Sequence, residues 1–269
     1  MISGTTTIYG ILGQPVRHSL SLAMHNAAFA ALGVDAAYVA FPVTDLPAAV
    51  QGLRGLGIAG VSVTIPFKEA IIPLVDAVDD DARAIGAVNT VLNRRGQLWG
   101  TNTDWLGAQA ALTEHIDLQG QDVLVLGAGG AGRAIVYAVR QAGGRVLVSD
   151  GEAGRAQRLA REFQAQAVPW EEVGQLAAAV LINATPVGMA PQAEALPYPP
   201  EGLHRFRVVM DIVYKPLQTR LLREAAGRGC RTIDGLAMLI HQGARQFELF
   251  TGWRAPLAVM SQAARTAAV

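Results

Sequence analysis

Short apolar runs alternate with segments of helical periodicity in the N-terminal part of the chain. The pattern predicts three strands and three helices, with these bounds: strands Thr6–Leu12, Ala37–Phe41 and Gly60–Ile65; helices Leu20–Leu32, Leu46–Gly55 and Lys68–Val78, the last interrupted near Pro73. Thr90–Asn93 and Gln97–Thr101 flank Arg94-Arg95-Gly96, which is typical of a hairpin turn. This alternation predicts α/β layering with a largely parallel sheet.

The alternation restarts after Gly120. The predicted strands are Asp122–Leu126, Arg145–Ser149, Val180–Asn183 and Val208–Ile212. The predicted helices are Leu106–His115, Gly130–Gln141, Arg155–Gln164, Leu217–Gly227 and Met238–Phe250. A restart of this kind, in a chain of 269 residues, is compatible with two domains.

Composition excludes several classes of protein. Hydrophobic residues make up 51% of the chain, which is too apolar for a disordered protein. Lys plus Arg and Asp plus Glu both number 22, and this neutral balance argues against a nucleic-acid partner. A single cysteine, Cys230, excludes an internal disulfide framework and a multi-cysteine zinc site.

The high hydropathy does not predict a membrane protein. The apolar stretches Gly55–Pro66 and Ala177–Met189 contain polar residues, and neither reaches the roughly 20 apolar residues of a spanning helix. Met1–Gly13 has neither a basic segment nor an apolar run of signal-peptide length. We therefore expect a cytoplasmic protein without a membrane partner, either a monomer or a homodimer.

The clearest motif is a glycine-rich turn between a predicted strand and a predicted helix. Gly127, Gly129 and Gly132 form G-x-G-x-x-G directly after Asp122–Leu126, and the following helix opens at Gly130-Ala131. This order is the dinucleotide-binding fingerprint, in which the helix N-terminus receives the pyrophosphate. The alternative is an ordinary glycine-rich turn.

Asp150 ends the second strand of this unit, 18 residues after Gly132. A carboxylate at this place accepts hydrogen bonds from the ribose hydroxyls and repels a 2′-phosphate, which favours NAD over NADP. The nearby Arg155 and Arg158 leave NADP open. The alternative is a solvated turn residue before Gly151.

Polar residues follow the predicted strands of the N-terminal part, where ligands of parallel sheets bind. Ser19, Ser21, Thr64, Asn89 and, near the C-terminus, Gln242 are neutral donors and acceptors suited to hydroxyls or a carboxylate. Lys68 and Asp104 are the candidates for proton transfer. The alternatives are a solvated lysine at position 68, and helix caps at Asp104, Ser19 and Ser21. We predict no metal site, because His18, His25 and His241 lack metal-ligand spacing.

Ordered segments along nearly the whole chain resemble the shikimate/quinate dehydrogenase family. They are Gly13-Gln14-Pro15, Ser19-Leu20-Ser21, His25-Asn26, Ser62–Lys68, Gly86–Thr90, Asn102-Thr103-Asp104, Gly127–Ala131, Asn183–Met189, Asp211–Tyr214 with Pro216, and Gly235-Leu236 with Met238-Leu239 and Gln242. So many segments in the family's order are far more specific than the glycine motif alone.

The resemblance implies roles for individual residues. Lys68 and Asp104 would form the catalytic pair, and Ser19, Ser21, Thr64, Asn89, Tyr214 and Gln242 would bind a small polyol carboxylate substrate. Gly127, Gly129, Gly130, Ala131, Asn183, Thr185, Val213, Gly235 and Met238 would border the cofactor, and the position of Asp150 after the second strand adds this residue to the set. It also implies a substrate domain of residues 1–104 and 237–269 with a mainly parallel sheet, and an inserted Rossmann-type domain of residues 105–236.

The chain departs from the family pattern at three places. Ser62 stands where the family often has Asn, which we expect to alter one substrate hydrogen bond, and Leu22 stands where it often has Pro. Ser149-Asp150-Gly151 replaces the Asn-Arg-Thr by which NADP-using members resemble one another. The missing arginine agrees with the interpretation of Asp150 and suggests an NAD-preferring paralogue.

The leading hypothesis is an oxidoreductase that interconverts shikimate, or quinate, and its 3-dehydro form with a nicotinamide cofactor. Two alternatives stay open: a non-catalytic sensor of NAD or a shikimate-like ligand, and a dehydrogenase of an amino-substituted analogue. A pure sensor has no chemical need of Lys68 and Asp104, and Ser19-x-Ser21 argues against an unrelated small substrate.

Overall fold

The computed structural model describes residues 2–268. The order of elements at the start of the chain is β1 (Thr7–Gly13), α1 (Ser21–Leu32), β2 (Ala36–Pro42), α2 (Leu46–Gly55), β3 (Gly60–Val63), β4 (Ala77–Val78), α3 (Asp80–Ile85), β5 (Thr90–Arg94) and β6 (Gln97–Thr101). The predicted strands and helices of this region are confirmed, with the exception of the helix Lys68–Val78.

The helix predicted over Lys68–Val78 is wrong. The segment contains only a 3-10 turn, Ile72–Leu74, followed by the short strand β4. Pro73 has no backbone N–H to continue a helix, so the chain extends. The helix of this region starts later, at α3, where the Asp79 side chain accepts a hydrogen bond from the Ala82 N–H.

The remaining elements are α4 (Asp104–Thr113), β7 (Asp122–Leu126), α5 (Gly130–Gln141), β8 (Arg145–Ser149), α6 (Ala153–Phe163), β9 (Gln166–Ala167), β10 (Val180–Asn183), β11 (Val208–Asp211), α7 (Arg220–Gly227), β12 (Arg231–Ile233), α8 (Gly235–Thr251) and α9 (Leu257–Ala267). α7 begins three residues later than predicted, because the Thr219 hydroxyl accepts a hydrogen bond from the Leu222 N–H and caps the helix there. β4, β9, β12, α3 and α9 were not predicted.

The chain divides into two compact units. The first contains the residues up to Thr103 and the segment from Ile240 onward, and the second contains Asp104–Leu239. The assignment of the first to the substrate and the second to the cofactor, with the boundaries given above, stays a prediction.

The sheet of the first unit has the strand order β2-β1-β3-β5-β6-β4. β1 is parallel to β2 and β3, whereas β5 is antiparallel to both β3 and β6. The carboxyl ends of β1, β3 and β6 and the start of β5 therefore lie at one edge of the sheet. Along β3, Val61 and Val63 point into a hydrophobic core beneath α2, and Ser62 points to the opposite face.

The sheet of the second unit has the order β12-β11-β10-β7-β8-β9, and every pair in it is parallel. Val123 and Val125 of β7 belong to one hydrophobic core, and Leu124 and Leu126 belong to a second core on the other face. Burial on both faces explains why these strands are continuous apolar runs. The predicted α/β class, with two mainly parallel sheets, is confirmed.

Between residues 2 and 268, no helix combines the length and the apolar composition that a membrane crossing requires.

Candidate active site

The loops after β1 and β3 of the first unit are joined by backbone hydrogen bonds. The Thr64 N–H donates to the Leu12 carbonyl at 2.9 Å, and the Gln14 N–H donates to the Ile65 carbonyl at 3.0 Å. Thr64 is half-buried. The parallel pairing of β1 and β3 thus places Thr64 at the carboxyl edge, as the sequence predicts for a residue that follows a strand.

Lys68 is held against the segment that enters β5. Its carbonyl accepts a hydrogen bond from the Val88 N–H at 2.8 Å, and the residue is half-buried. The residue after Val88, Asn89, donates from its backbone N–H to the Thr101 carbonyl at 3.1 Å. The antiparallel strands β5 and β6 therefore bring Lys68 and Asn89 to the same edge as Thr64.

The Asn89 carboxamide is buried and lies at the centre of a polar cluster. Its Oδ1 accepts hydrogen bonds from the Thr103 N–H at 2.8 Å and from the Thr90 hydroxyl at 2.7 Å. Its Nδ2 donates to the Thr103 hydroxyl at 3.0 Å and to Gln242 Oε1 at 3.4 Å. α8 thus delivers Gln242 to the sheet edge, and Asn89 and Gln242, predicted from distant parts of the chain, are brought together.

Ser19 and Ser21 lie where β1 passes into α1. The Ser21 N–H donates to the Ser19 hydroxyl at 3.3 Å, and Ser21 is the first residue of the helix. The helix cap position belongs to Leu20, which has no side-chain hydrogen bond. Neither serine is therefore the N-cap residue of α1, and the Ser19 hydroxyl still accepts a hydrogen bond from the first N–H of the helix.

Ser62 lies inside the first unit. It is 4% exposed, and its hydroxyl accepts a hydrogen bond from the Tyr38 hydroxyl at 2.5 Å and donates to Gln246 Oε1 at 2.7 Å. The alteration that we expected at a substrate hydrogen bond stays a prediction. What the side chain does in the structure is to connect β2, β3 and α8.

The glycine-rich turn of the second unit requires glycine at two positions. Gly127 has φ of 106°, and a Cβ there would lie 2.8 Å from the Ala184 carbonyl oxygen. A Cβ on Gly132 would overlap the Gly127 carbonyl oxygen. These contacts leave no room for a side chain, so the turn is tight and α5 approaches it closely.

Gly129 differs from its neighbours, since a Cβ on it would meet no atom within 4 Å. Gly129 caps α5, whose first residues are Gly130 and Ala131. An open approach to backbone N–H groups at a helix N-terminus suits a pyrophosphate. The residues at this turn therefore fit a dinucleotide cofactor.

Asp150 connects the glycine-rich turn to the loop after β8. Its two carboxylate oxygens accept hydrogen bonds from the Ala128 N–H at 2.7 Å and from the Glu152 N–H at 2.8 Å. Glu152 pairs with Arg155 at 2.8 Å and with Arg158 at 4.0 Å. The two arginines that left NADP open thus face a glutamate, and the local charge is balanced.

The ends of β10 and β11 are joined by a buried carboxylate, Asp211. It accepts hydrogen bonds from Asn183 Nδ2 at 2.9 Å, from the Val213 N–H at 3.0 Å and from the Thr219 hydroxyl at 2.7 Å. Asn183 Oδ1 in turn accepts from the Thr185 hydroxyl at 2.6 Å. The buried Asp211 thus organises loops that carry predicted cofactor residues.

Gly235 approaches the end of β11 closely, because a Cβ on it would lie 2.5 Å from the Ile212 carbonyl oxygen. Met238 is buried in the hydrophobic core of the second unit. Tyr214 is half-buried, and burial raises the pKa of its phenol. Asp104 is the first residue of α4 and is buried, at the helix end that favours a negative charge.

Several residues of these clusters were not among the predicted site residues, and Thr103, Asp211 and Gln246 are three of them. The first two stand inside segments that carry the family resemblance, Asn102-Thr103-Asp104 and Asp211–Tyr214, and that position was the available signal. No feature of the sequence around Gln246 indicated a role for it, because the pattern of an amphipathic helix does not predict that one of its glutamines is buried.

Comparison with known proteins gives two matches to family descriptions. Residues 11–91 match the shikimate dehydrogenase substrate binding domain, and residues 235–265 match the shikimate 5′-dehydrogenase C-terminal domain. A shikimate dehydrogenase (NADP(+)) of Thermococcus kodakarensis is 48% identical over 269 residues, covering 98% of both chains. The chain belongs to the shikimate dehydrogenase family.

Solved structures agree with this membership. The shikimate 5-dehydrogenase of Thermus thermophilus, in complex with NADP(H) and shikimate, has a TM-score of 0.90 and 43% identity, covering 97% of this chain and 99% of that chain. A quinate dehydrogenase from Corynebacterium glutamicum in complex with NAD has the same TM-score, 32% identity and the same coverage. These two solved structures thus share the fold of this chain and contain different nicotinamide cofactors.

Replacement of Asp211 should change how stability depends on pH. Burial raises the pKa of this carboxyl from 3.8 to about 6, so the folded state holds the proton more tightly than the unfolded state. The protonated Asp211 carboxyl contributes fully to the free energy of unfolding below about pH 4. As the pH rises to about 6, this contribution falls by roughly 3 kcal/mol. Relative to Asp211→Asn, the wild type should lose free energy of unfolding across this window, measured by urea unfolding.

The companion variant Thr219→Val removes a donor that lowers this pKa, so the window should move to higher pH. Wild-type and Asp211→Asn curves that stay parallel from about pH 4 to about pH 7 would contradict the assignment.

Proposed function

We propose that the chain is an oxidoreductase that interconverts shikimate, or quinate, and its 3-dehydro form with a nicotinamide cofactor. The observation that supports this proposal most directly is the cluster of Asn89, Thr103 and Gln242 at the sheet edge beside Thr64 and Lys68. Amide and hydroxyl groups at one edge suit a ring with several hydroxyls. The names of the relatives, shikimate dehydrogenase and quinate dehydrogenase, support the same reaction class.

In this proposal the first unit binds the substrate and the second binds the cofactor. Ser19 and Ser21 hold the substrate carboxylate, and Thr64, Asn89 and Gln242 bind the ring hydroxyls. Tyr214, which belongs to the second unit, is a further candidate substrate-binding residue. The cofactor-side residues are Gly127, Gly129, Gly130, Ala131, Asp150, Asn183, Thr185, Val213, Gly235 and Met238.

Lys68 and Asp104 are the proton-transfer pair. The lysine amine accepts the proton of the substrate hydroxyl during oxidation and returns it during reduction. Asp104, as a carboxylate, stabilises the lysine ammonium that forms. The nicotinamide cofactor, when bound, supplies the acceptor or donor of hydride. A cation near the developing alkoxide lowers the energy of the transition state.

The cofactor preference that we propose is NAD, and it rests on Asp150 and on the pairing of the nearby arginines with Glu152. A 2′-phosphate would meet the Asp150 carboxylate, and the neighbouring arginines are paired with Glu152. The names of the relatives do not support this preference, because the curated relative from Thermococcus kodakarensis is named for NADP(+). The specificity ratio is therefore the quantity to measure.

The test of the reaction is a four-way matrix of initial rates at alkaline pH. Shikimate and quinate are each combined with NAD and with NADP, and the reduced cofactor is followed by its absorbance. We expect turnover of at least one acid, and the better acid identifies the substrate. Absence of turnover in all four combinations, with measurable NAD binding, would overturn the proposal in favour of a sensor or an amino-substituted substrate.

Lys68→Ala should lower kcat by a factor on the order of 10³, because the general base is removed. The Kd for the cofactor should stay within about twofold, since Lys68 belongs to the first unit. The exposed neighbour Glu69→Ala serves as the matched control and should keep wild-type kinetics. Turnover of Lys68→Ala at the wild-type rate would remove this residue from the mechanism.

Asp150→Ala should lower the ratio of kcat/KM for NAD to kcat/KM for NADP by about tenfold, the equivalent of one hydrogen-bonded charge. Both cofactors lose some affinity, because the carboxylate also connects the glycine-rich turn to the loop after β8. An unchanged ratio, or a wild-type enzyme that prefers NADP, would show that Asp150 does not select the cofactor.

A further inference from the structure

A chain of buried hydrogen bonds runs from Tyr38 through Ser62, Gln246 and Thr90 to the Asn89 carboxamide. Each of these five residues is at most 4% exposed. The successive distances are 2.5 Å, 2.7 Å, 2.8 Å and 2.7 Å. All five residues belong to the first unit, where β2, β3 and α8 contribute one side chain each and the segment at the start of β5 contributes Asn89 and Thr90.

The direction of this chain is fixed by one acceptor-only group. Gln246 Nε2 lies 3.2 Å from the Asn89 carbonyl oxygen, which can only accept. The amide nitrogen of Gln246 must therefore face β5, and its Oε1 faces the Ser62 hydroxyl. Turning the Gln246 carboxamide over would place two acceptors against each other.

The remaining hydrogens follow from this orientation. The Thr90 hydroxyl accepts from Gln246 Nε2, so its own hydrogen points to Asn89 Oδ1 at 2.7 Å. At the other end, Ser62 donates to Gln246 and accepts from the Tyr38 hydroxyl. The Tyr38 ring is stacked on the buried His25 ring with centroids 4.3 Å apart, which holds the phenol in place.

The consequence concerns which end of Asn89 meets a ligand. Asn89 Oδ1 receives two donors, the Thr90 hydroxyl and the Thr103 N–H at 2.8 Å. With its acceptor occupied in this way, the carboxamide directs its Nδ2 hydrogens to the Thr103 hydroxyl at 3.0 Å and to Gln242 Oε1 at 3.4 Å, and a substrate hydroxyl that accepts from Nδ2 would replace the longer of these two contacts. Hydrogen bonds in series polarise one another, so the relay also strengthens Nδ2 as a donor.

We propose that Gln246 is a positioning residue, which acts through Thr90 to fix the Asn89 carboxamide as a donor towards a substrate hydroxyl. This rests on the proposed function, in which Asn89 binds a ring hydroxyl. Gln246 does not touch substrate or cofactor in this role. Its carboxamide bridges the hydroxyls of Ser62 and Thr90, which are direct partners across the antiparallel β3–β5 pair.

The bridge gives a physical meaning to Ser62, which stands where the family often has Asn. Serine has no carboxamide with which to reach Thr90 across the strands, and Gln246 supplies that group from α8. An asparagine at position 62 would offer the carboxamide from β3 instead. Removal of the Gln246 carboxamide should therefore be tolerated only when Ser62 is replaced by asparagine at the same time.

The first experiment compares the wild type with Gln246→Met, which keeps the size of the side chain and removes its hydrogen bonds to Ser62, Thr90 and the Asn89 carbonyl. The KM for shikimate should rise about fivefold and the KM for the cofactor should not change, the effect of weakening one neutral hydrogen bond. Phe247→Leu is the control, since Phe247 is fully buried beside Phe29 and makes none of the hydrogen bonds of the relay. An unchanged KM for shikimate in Gln246→Met, or an equal rise in Phe247→Leu, would overturn the proposal.

Two further variants separate positioning from general destabilisation. Thr90→Val breaks the same relay, so the double variant with Gln246→Met should have the KM of either single variant, and additive effects would contradict a shared path. Ser62→Asn with Gln246→Ala moves the carboxamide to β3 and should restore the KM for shikimate to within about twofold of the wild type. Failure of this rescue in a folded protein would count against the bridge.

A readout that does not depend on turnover is the NMR signal of the Asn89 side-chain amide. Its resonances should shift in Gln246→Met and Thr90→Val and stay in place in Phe247→Leu. A wild type that oxidises neither shikimate nor quinate would overturn the proposed function, and the amide signals would still decide whether Gln246 orients Asn89. Unchanged Asn89 signals in Gln246→Met would reject the relay whatever the activity.

Discussion

A buried carboxamide must find partners for both its oxygen and its nitrogen, and the arrangement of the first unit follows from how Asn89 meets this requirement. A buried amide without hydrogen-bond partners lowers the stability of the folded state by roughly 1–3 kcal/mol. The surrounding segments therefore lie where they can donate to its oxygen and accept from its nitrogen. Asn89 Oδ1 accepts a hydrogen bond from the Thr103 N–H after β6, and Asn89 Nδ2 donates to Gln242 Oε1 of α8. The sheet edge and a helix from the C-terminal segment are thereby joined at the residues that the proposed function assigns to the substrate.

The second unit also contains a buried polar group that needs hydrogen-bond partners, and here the group is a carboxylate. Asp211 accepts three hydrogen bonds at the ends of β10 and β11, from Asn183, Val213 and Thr219. The strands of this unit are otherwise apolar on both faces of the sheet, with Leu124 and Val125 of β7 in opposite cores. The polar cluster around Asp211 lies at the carboxyl edge, where the glycine-rich turn also opens.

Sequence patterns predicted the elements whose cause is local. Gly127 and Gly132 are required by the turn itself, and the strand Asp122–Leu126 before them is a nearly continuous apolar run. The predictions of helix bounds were wrong where a single residue, and not the spacing of apolar residues, set the end of the helix. Pro73 ended a helix that the apolar spacing favoured, and the Thr219 hydroxyl moved the start of α7. The strands β4, β9 and β12 have two or three residues, too few to carry a period.

The sequence by itself determined the fold class, the position of the dinucleotide turn and the family, because each is carried by short motifs whose own residues are close along the chain. It also placed Lys68, Asn89 and Gln242 among the candidate site residues. Only the tertiary structure decided which side chains hold these groups in place. Gln246 and Ser62 are 184 positions apart, and their hydrogen bond arises because α8 covers one face of the first sheet. A contact of that kind is set by packing between distant elements, and no local pattern encodes it.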